Sequence, residues 1–302
     1  MRETPILNGL RHKSQGQHNN SIHASIIKMM IGEKITMICF VSCYALALVT
    51  EITAYQSTGR RPSWLCRLFA LAGIFAQLLY IVHHALPMSG QSSILMLLSL
   101  IMAIFYLSGT FHHHRTALGI FVLPVVLLLL IVHAIKPIAL ESMTLPPDRS
   151  TKMWTWMHLV FILLGDVGLC VAFLASVMYL VQSSFLKHKA RPDHALQLLS
   201  LERLERMSRR AITLAFPLLT CGLLLGMLLM IQTNQLEWLD SKVISTGLLW
   251  LVMVLVIVVR FGMHMTGRKV AWLTVLAFIL LLMAFSVSFF LPTGHPTGVL
   301  GR

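Results

Sequence analysis

Two histidines stand where an imidazole could meet a ligand. His158 closes the run Trp154-Thr-Trp-Met-His158, just inside an aromatic girdle, and His295 follows a Pro-Thr-Gly turn directly after the last apolar segment. Two neutral imidazoles facing each other can supply axial ligands to haem iron. The same pair could hold copper or zinc, because ligand type alone does not choose among these. The competing reading is two interfacial histidines that never meet. A second candidate is the run Gln235-Leu-Glu-Trp238-Leu-Asp240-Ser-Lys242, whose aromatic ring, carboxylate and ammonium could line a planar anionic cofactor. An interfacial tryptophan beside a solvated Asp240–Lys242 pair also accounts for these residues, and composition alone favours it.

Asp166 lies eight residues beyond His158 in the same apolar run. A charge near mid-membrane costs roughly 2.5–3.5 kcal/mol on insertion scales, so a carboxylate there is a functional candidate by default. The (i, i+8) spacing places it on roughly the face of His158. Glu51, near the end of the first apolar run, can snorkel to the interface and carries less weight. His83, His84 and His133 read as interfacial, and His112, His113 and His114 as a solvated cluster whose adjacent side chains converge poorly on one ion. The five cysteines (Cys39, Cys43, Cys66, Cys170 and Cys221) form no CxxC pair, which supports neither a disulfide framework nor a zinc site.

The elements that must position these groups follow from composition. Of 302 residues, 57% are hydrophobic and only 12% charged, and mean hydropathy is +0.78. A soluble domain needs roughly 25% charged residues to cover its surface. This chain is therefore solvated mainly by lipid, which excludes a secreted disulfide scaffold, a disordered chain and an ordinary cytosolic enzyme. Eight runs approach the roughly 20 apolar residues that a bilayer core demands. They fall near 35–56, 64–84, 92–109, 116–136, 154–182, 211–232, 243–261 and 270–291. Continuous runs without strand alternation make the class all-α, a polytopic membrane bundle of about eight transmembrane helices.

The formal charge is +13, with 24 basic residues against 11 acidic. Because that excess collects in short loops beside apolar runs, it reads as membrane orientation and not as nucleic-acid binding. The loops and flanks after spans 1, 3, 5 and 7 carry 14 Lys and Arg, whereas the opposite side carries 5, the N-terminal tail left aside. Positive-inside places both termini outside. Residues 1–34 read as a polar, disordered tail with no signal-peptide pattern in the first 30 residues. Residues 35–292 form the membrane domain and 293–302 a short external segment. The polar connection 183–210 falls inside; Leu201, Leu204 and Met207 at helical spacing predict a helix lying along the membrane surface, anchored by Arg209 and Arg210.

From about Trp64 onward the chain resembles the cytochrome c assembly family of CcsA, with its HemX-like and YpjD-like branches. The likeness is clearest over 116–292. It is carried by Ala117-Leu-Gly-Ile-Phe-Val-Leu-Pro124, by Trp156-Met-His158, by Ser200-Leu-Glu202 through Arg210-Ala-Ile, by Phe216-Pro217-Leu-Leu-Thr with Gly226, and by Gly267-Arg-Lys-Val-Ala-Trp272. The family's tryptophan-rich signature is partly present. Asp240, Lys242 and Trp250 match in register, while Leu239 and Val243 replace a Trp and a Glu.

The resemblance implies an external haem site in which His158 and His295 are the axial ligands and Trp238, Asp240 and Lys242 shape the loop above. The family's membrane-embedded histidine pair falls on Gln77 and Val258, and a customary Tyr on Asp166. It further implies a haem-handling protein of c-type cytochrome biogenesis in the plasma (inner) membrane, presenting haem outside. Its partners would be haem, the bilayer, a large membrane subunit of the assembly machinery and apocytochrome c. No enzyme motif is evident, so the chain is at most a component of a haem attachment machinery. The alternative is a HemX-type regulator or scaffold that sets the level of a tetrapyrrole-synthesis enzyme and holds no haem.

Overall fold

In lipid, a backbone N–H or C=O finds no water, so each apolar run must satisfy its hydrogen bonds within itself and becomes a helix. The computed structural model describes residues 37–54, 64–83, 91–112, 118–134, 149–187, 200–232, 241–262 and 267–290. Eight helices occupy them, and no strand occurs among the described residues. They are α1 (Met37–Ala54), α2 (Trp64–His83), α3 (Gln91–His112), α4 (Gly119–Ala134), α5 (Arg149–Lys187), α6 (Leu201–Gln232), α7 (Ser241–Ile257) and α8 (Arg268–Phe290). Seven are long and apolar enough to cross a membrane; α4 is shorter, at 16 residues. The chain is a multi-pass integral membrane protein.

The centre of the bundle is the antiparallel pair α5–α6. Its register is regular. Ser176 meets Ser208, Gly168 meets Ala215, Gly165 meets Leu219, Ile162 meets Gly222 and His158 meets Gly226. Small residues make the approach this close. A Cβ on Gly165 would stand 2.5 Å from Leu219 Cγ, and one on Gly168 would stand 2.8 Å from Ala215 Cβ. Between helices in lipid, where burial itself gains little, such close packing is the main attraction. Around this pair α8 packs on α5 and α7, with Phe173 and Phe278 stacked at 3.9 Å between ring centroids. On the other side α3 and α4 pack together and against α5.

One expectation from the sequence changes here. The segment 200–210 does not form a separate surface helix; it is the first part of α6, continuous through Gln232. Leu204, Ser208, Ile212, Ala215, Leu219 and Gly222 form a single buried stripe along α6. Its upper portion, the apolar spacing that suggested a membrane-lying face, packs on α5 instead. At 1.5 Å per residue the 39 residues of α5 and 32 of α6 are about 58 and 48 Å long. Both exceed the roughly 30 Å hydrocarbon core, so the pair carries its contact past the apolar layer.

Candidate functional site

His158 sits in the first third of α5 with its ring against α6. Its Nδ1 is 2.7 Å from the Gly222 carbonyl oxygen, which can only accept, so Nδ1 carries the proton and donates it. In a neutral imidazole the other nitrogen, Nε2, then holds a lone pair. The Cε1 edge of the ring comes against Gly226. A Cβ at that position would stand 2.6 Å from His158 Cε1. The pair Gly222-Leu-Leu-Leu-Gly226 therefore does two jobs: one carbonyl fixes the tautomer, and one missing side chain makes room for the ring. Trp154, one helical turn before it on the same side of α5, is exposed, as are Trp156 and Met157 further around the helix.

A further contact along α6 ties it to α7. Trp250 of α7 donates its indole N–H to Thr220 Oγ1 at 3.0 Å and stacks with Phe216 at 6.1 Å between centroids. These contacts hold α7 against the helix that seats His158. Trp238, Asp240 and His295 lie outside the described residues, as does the side chain of Lys242, whose backbone opens α7. Among the described residues, no three His, Cys, Asp or Glu side chains gather as a metal site.

Residues 69–295 match the family model described as cytochrome C assembly protein. The chain belongs to the cytochrome c assembly protein family. That membership gives it a role in c-type cytochrome biogenesis. No curated protein and no solved structure matches it.

The described part of the site fits the haem that this family handles. An axial histidine needs a free nitrogen, a partner that fixes its tautomer and a surface that accepts the porphyrin edge. His158 has the first in Nε2, the second in the Gly222 carbonyl and the third in the exposed Trp154, one helical turn away.

The two positions that the resemblance set against an embedded histidine pair, Gln77 and Val258, are built differently from each other. Gln77 is fully buried and uses both ends of its amide: Tyr44 donates to Oε1 at 2.8 Å, and Nε2 donates to Ser99 Oγ at 2.8 Å and to the Met96 carbonyl at 3.1 Å. It joins α1, α2 and α3. Val258, by contrast, opens a π-helical turn (Val258–Gly262) at the end of α7 and is exposed.

Asp166 is only 1% exposed, and its Oδ2 has no hydrogen-bond partner among the described residues. It falls between Gly165 and Gly168, both of which face α6, so it does not share the α6 contact of His158. At 100° per residue the (i, i+8) spacing leaves it 80° around the helix.

Glu51 does not snorkel. It is 4% exposed, and its Oε2 accepts from Tyr106 Oη and from the Cys66 thiol, each at 2.8 Å. The same thiol and phenol are 2.8 Å apart. This knot joins the end of α1, the start of α2 and the last turns of α3, and it abuts Gly119 at the start of α4, where a Cβ would stand 2.6 Å from Glu51 Cδ. Four helix ends thus meet around one carboxylate. In sequence the three partners are far apart, and only the order of spans, which brings those ends to one side, could have pointed to them.

Proposed function

We propose that the chain presents haem at the outer face of the plasma membrane, with His158 and His295 as axial ligands. The observation that carries this reading is the 2.7 Å bond from His158 Nδ1 to the Gly222 carbonyl, which leaves Nε2 available. The outer placement is supported by the 14-to-5 distribution of basic residues, which also puts both termini outside. His158 holds its proton at Nδ1 and offers a lone pair. Trp154 flanks the ring one helical turn away, and on this reading Trp238, Asp240 and Lys242 would shape the loop above the haem. Haem supplies the iron porphyrin destined for apocytochrome thiols. On this reading the chain is a component of the attachment machinery, working with a large membrane subunit and apocytochrome c, and is not itself an enzyme.

A second reading, a HemX-type membrane regulator without bound haem, is favoured by Gln77. Its closed hydrogen-bond network fills the position where an embedded ligand would stand. One experiment separates the two. Deleting the gene should abolish c-type cytochromes, and the wild-type chain but not His158→Ala should restore them. If c-type cytochromes persist and only the amount of a tetrapyrrole-synthesis enzyme changes, the regulatory reading replaces the first.

A further inference from the structure

At the opposite end of the α5–α6 pair, away from His158, a guanidinium is buried without a direct ion pair. Arg260 is 8% exposed and sits in the π-helical turn that closes α7. Its Nη2 donates to the Glu205 backbone carbonyl at 2.9 Å and its Nη1 to Ser208 Oγ at 3.3 Å. Glu205 thus gives Arg260 its carbonyl and not its carboxylate. Among the described residues no carboxylate lies within ion-pair distance of Arg260; the pair found there is the exposed Arg206 with Glu202. The C-terminal carbonyls of α7 offer about half an elementary charge spread over several atoms. The Glu205 carboxylate also attracts the guanidinium, but from beyond ion-pair distance, so no anion is in direct contact with this buried cation.

Beside the guanidinium is a cavity of about 10 Å³, lined by Ser176, Tyr179, Glu205, Ser208, Arg260 and Gly267 among others. It has room for one oxygen-sized group. Its polar lining holds one guanidinium and three hydroxyls as donors, with Glu205 as the one acidic residue. Two backbone features shape it. The π turn carries an extra residue per turn, a distortion that recurs at functional sites. Gly267 has φ 89°, and a Cβ there would stand 2.8 Å from Tyr179 Oη. Two further cations lie at this end of the bundle: Arg209 stands 4.8 Å over the Phe261 ring, and Arg268 donates to Ser184 at 2.8 Å. Phe185, Leu186, Val258, Phe261 and Trp272 are exposed apolar neighbours on the same end of the bundle.

We propose that this pocket binds a phosphate group through Arg260 and Ser208, with the headgroup of an anionic phospholipid as its source. The donors and the cation select an oxyanion. The size of the cavity admits one of its oxygens. The surrounding apolar surface suits acyl chains better than a soluble ion. Such a lipid would clamp the ends of α5, α6, α7 and α8 without touching the His158 end.

Purified full-length protein in mild detergent, given equal phosphatidylglycerol and phosphatidylcholine, tests this by native mass spectrometry. Wild type should retain phosphatidylglycerol preferentially. Arg260→Gln should lower that preference about tenfold, as expected for a lost charged hydrogen bond, and Arg260→Lys should restore part of it. If Arg260→Gln does not fold, Ser208→Ala should still lower the preference. A thermal-shift series with inorganic phosphate against chloride at equal ionic strength separates the sources. Stabilisation by phosphatidylglycerol alone supports the lipid. Stabilisation by phosphate alone overturns the lipid source. No preference in wild type, or an unchanged one in Arg260→Gln and Ser208→Ala, overturns the site.

Discussion

Replacing Gly226 by alanine should weaken haem binding while leaving the fold intact. The new Cβ would stand 2.6 Å from His158 Cε1 and 3.1 Å from Nδ1. Ordinary contact begins near 3.4 Å, so the ring must withdraw by about 1 Å. A shift of that size carries the Nδ1···Gly222 contact from 2.7 Å to the edge of a hydrogen bond or beyond it. A net bond of this kind is worth about 0.5–1.5 kcal/mol, which corresponds to a loss of roughly 2- to 13-fold in affinity. The helix itself gains, because alanine is favoured over glycine by about 1 kcal/mol in a helix interior. The assay is a haem titration followed by absorbance, run beside thermal unfolding in the same detergent. Gly247→Ala is the control, since a Cβ there meets nothing within 4 Å. Weaker binding with undiminished thermal stability, in Gly226→Ala alone, is the expected result. Equal haem affinity in Gly226→Ala, Gly247→Ala and wild type would refute the role assigned to the ring's seat.

Tyr106→Phe removes one of the two donors to Glu51 and should destabilise the protein by about 1–3 kcal/mol, read as a lower midpoint of thermal unfolding; an unchanged midpoint would mean the knot of α1, α2 and α3 is not structural. Asp166→Leu should insert and accumulate normally, because it removes a costly buried polar group, yet lower the yield of c-type cytochromes; an undiminished yield would make Asp166 merely tolerated. A cysteine placed at Ser241 should react with an impermeant thiol reagent applied from outside, and one at Ser200 should not, once the exposed Cys39 and Cys221 are replaced; the reverse pattern would invert the topology.

The helices were legible in the sequence because lipid leaves each apolar run only one way to satisfy its backbone. Where they meet was less so. The 200–210 segment carries an amphipathic stripe, and a stripe records that a face is covered without recording by what. The pattern alone fits the membrane surface, whereas α5, running 39 residues, is long enough to cover it. His158 was legible from its aromatic setting. Its partner was not, because a backbone carbonyl has no sequence signature; the spacing of Gly222 and Gly226 was the one trace, as small residues four apart mark a close helix contact. Glu51 was discounted because position near a helix end permits snorkelling. Its burial depends on Cys66 and Tyr106 arriving from two other helices, which only the assembled bundle brings about. The buried Arg260 escaped notice for a similar reason: one more arginine in a basic flank looks solvated until the π turn folds it inward.

The central claim is that His158 and His295 jointly ligate one haem iron. Absorbance spectra of the purified wild type, His158→Ala and His295→Ala, each supplied with haem, test it most directly. The wild type should give the low-spin, six-coordinate spectrum of two imidazole ligands, and each single variant should lose it. Three colourless preparations, or two variants that keep the wild-type spectrum, would contradict the claim.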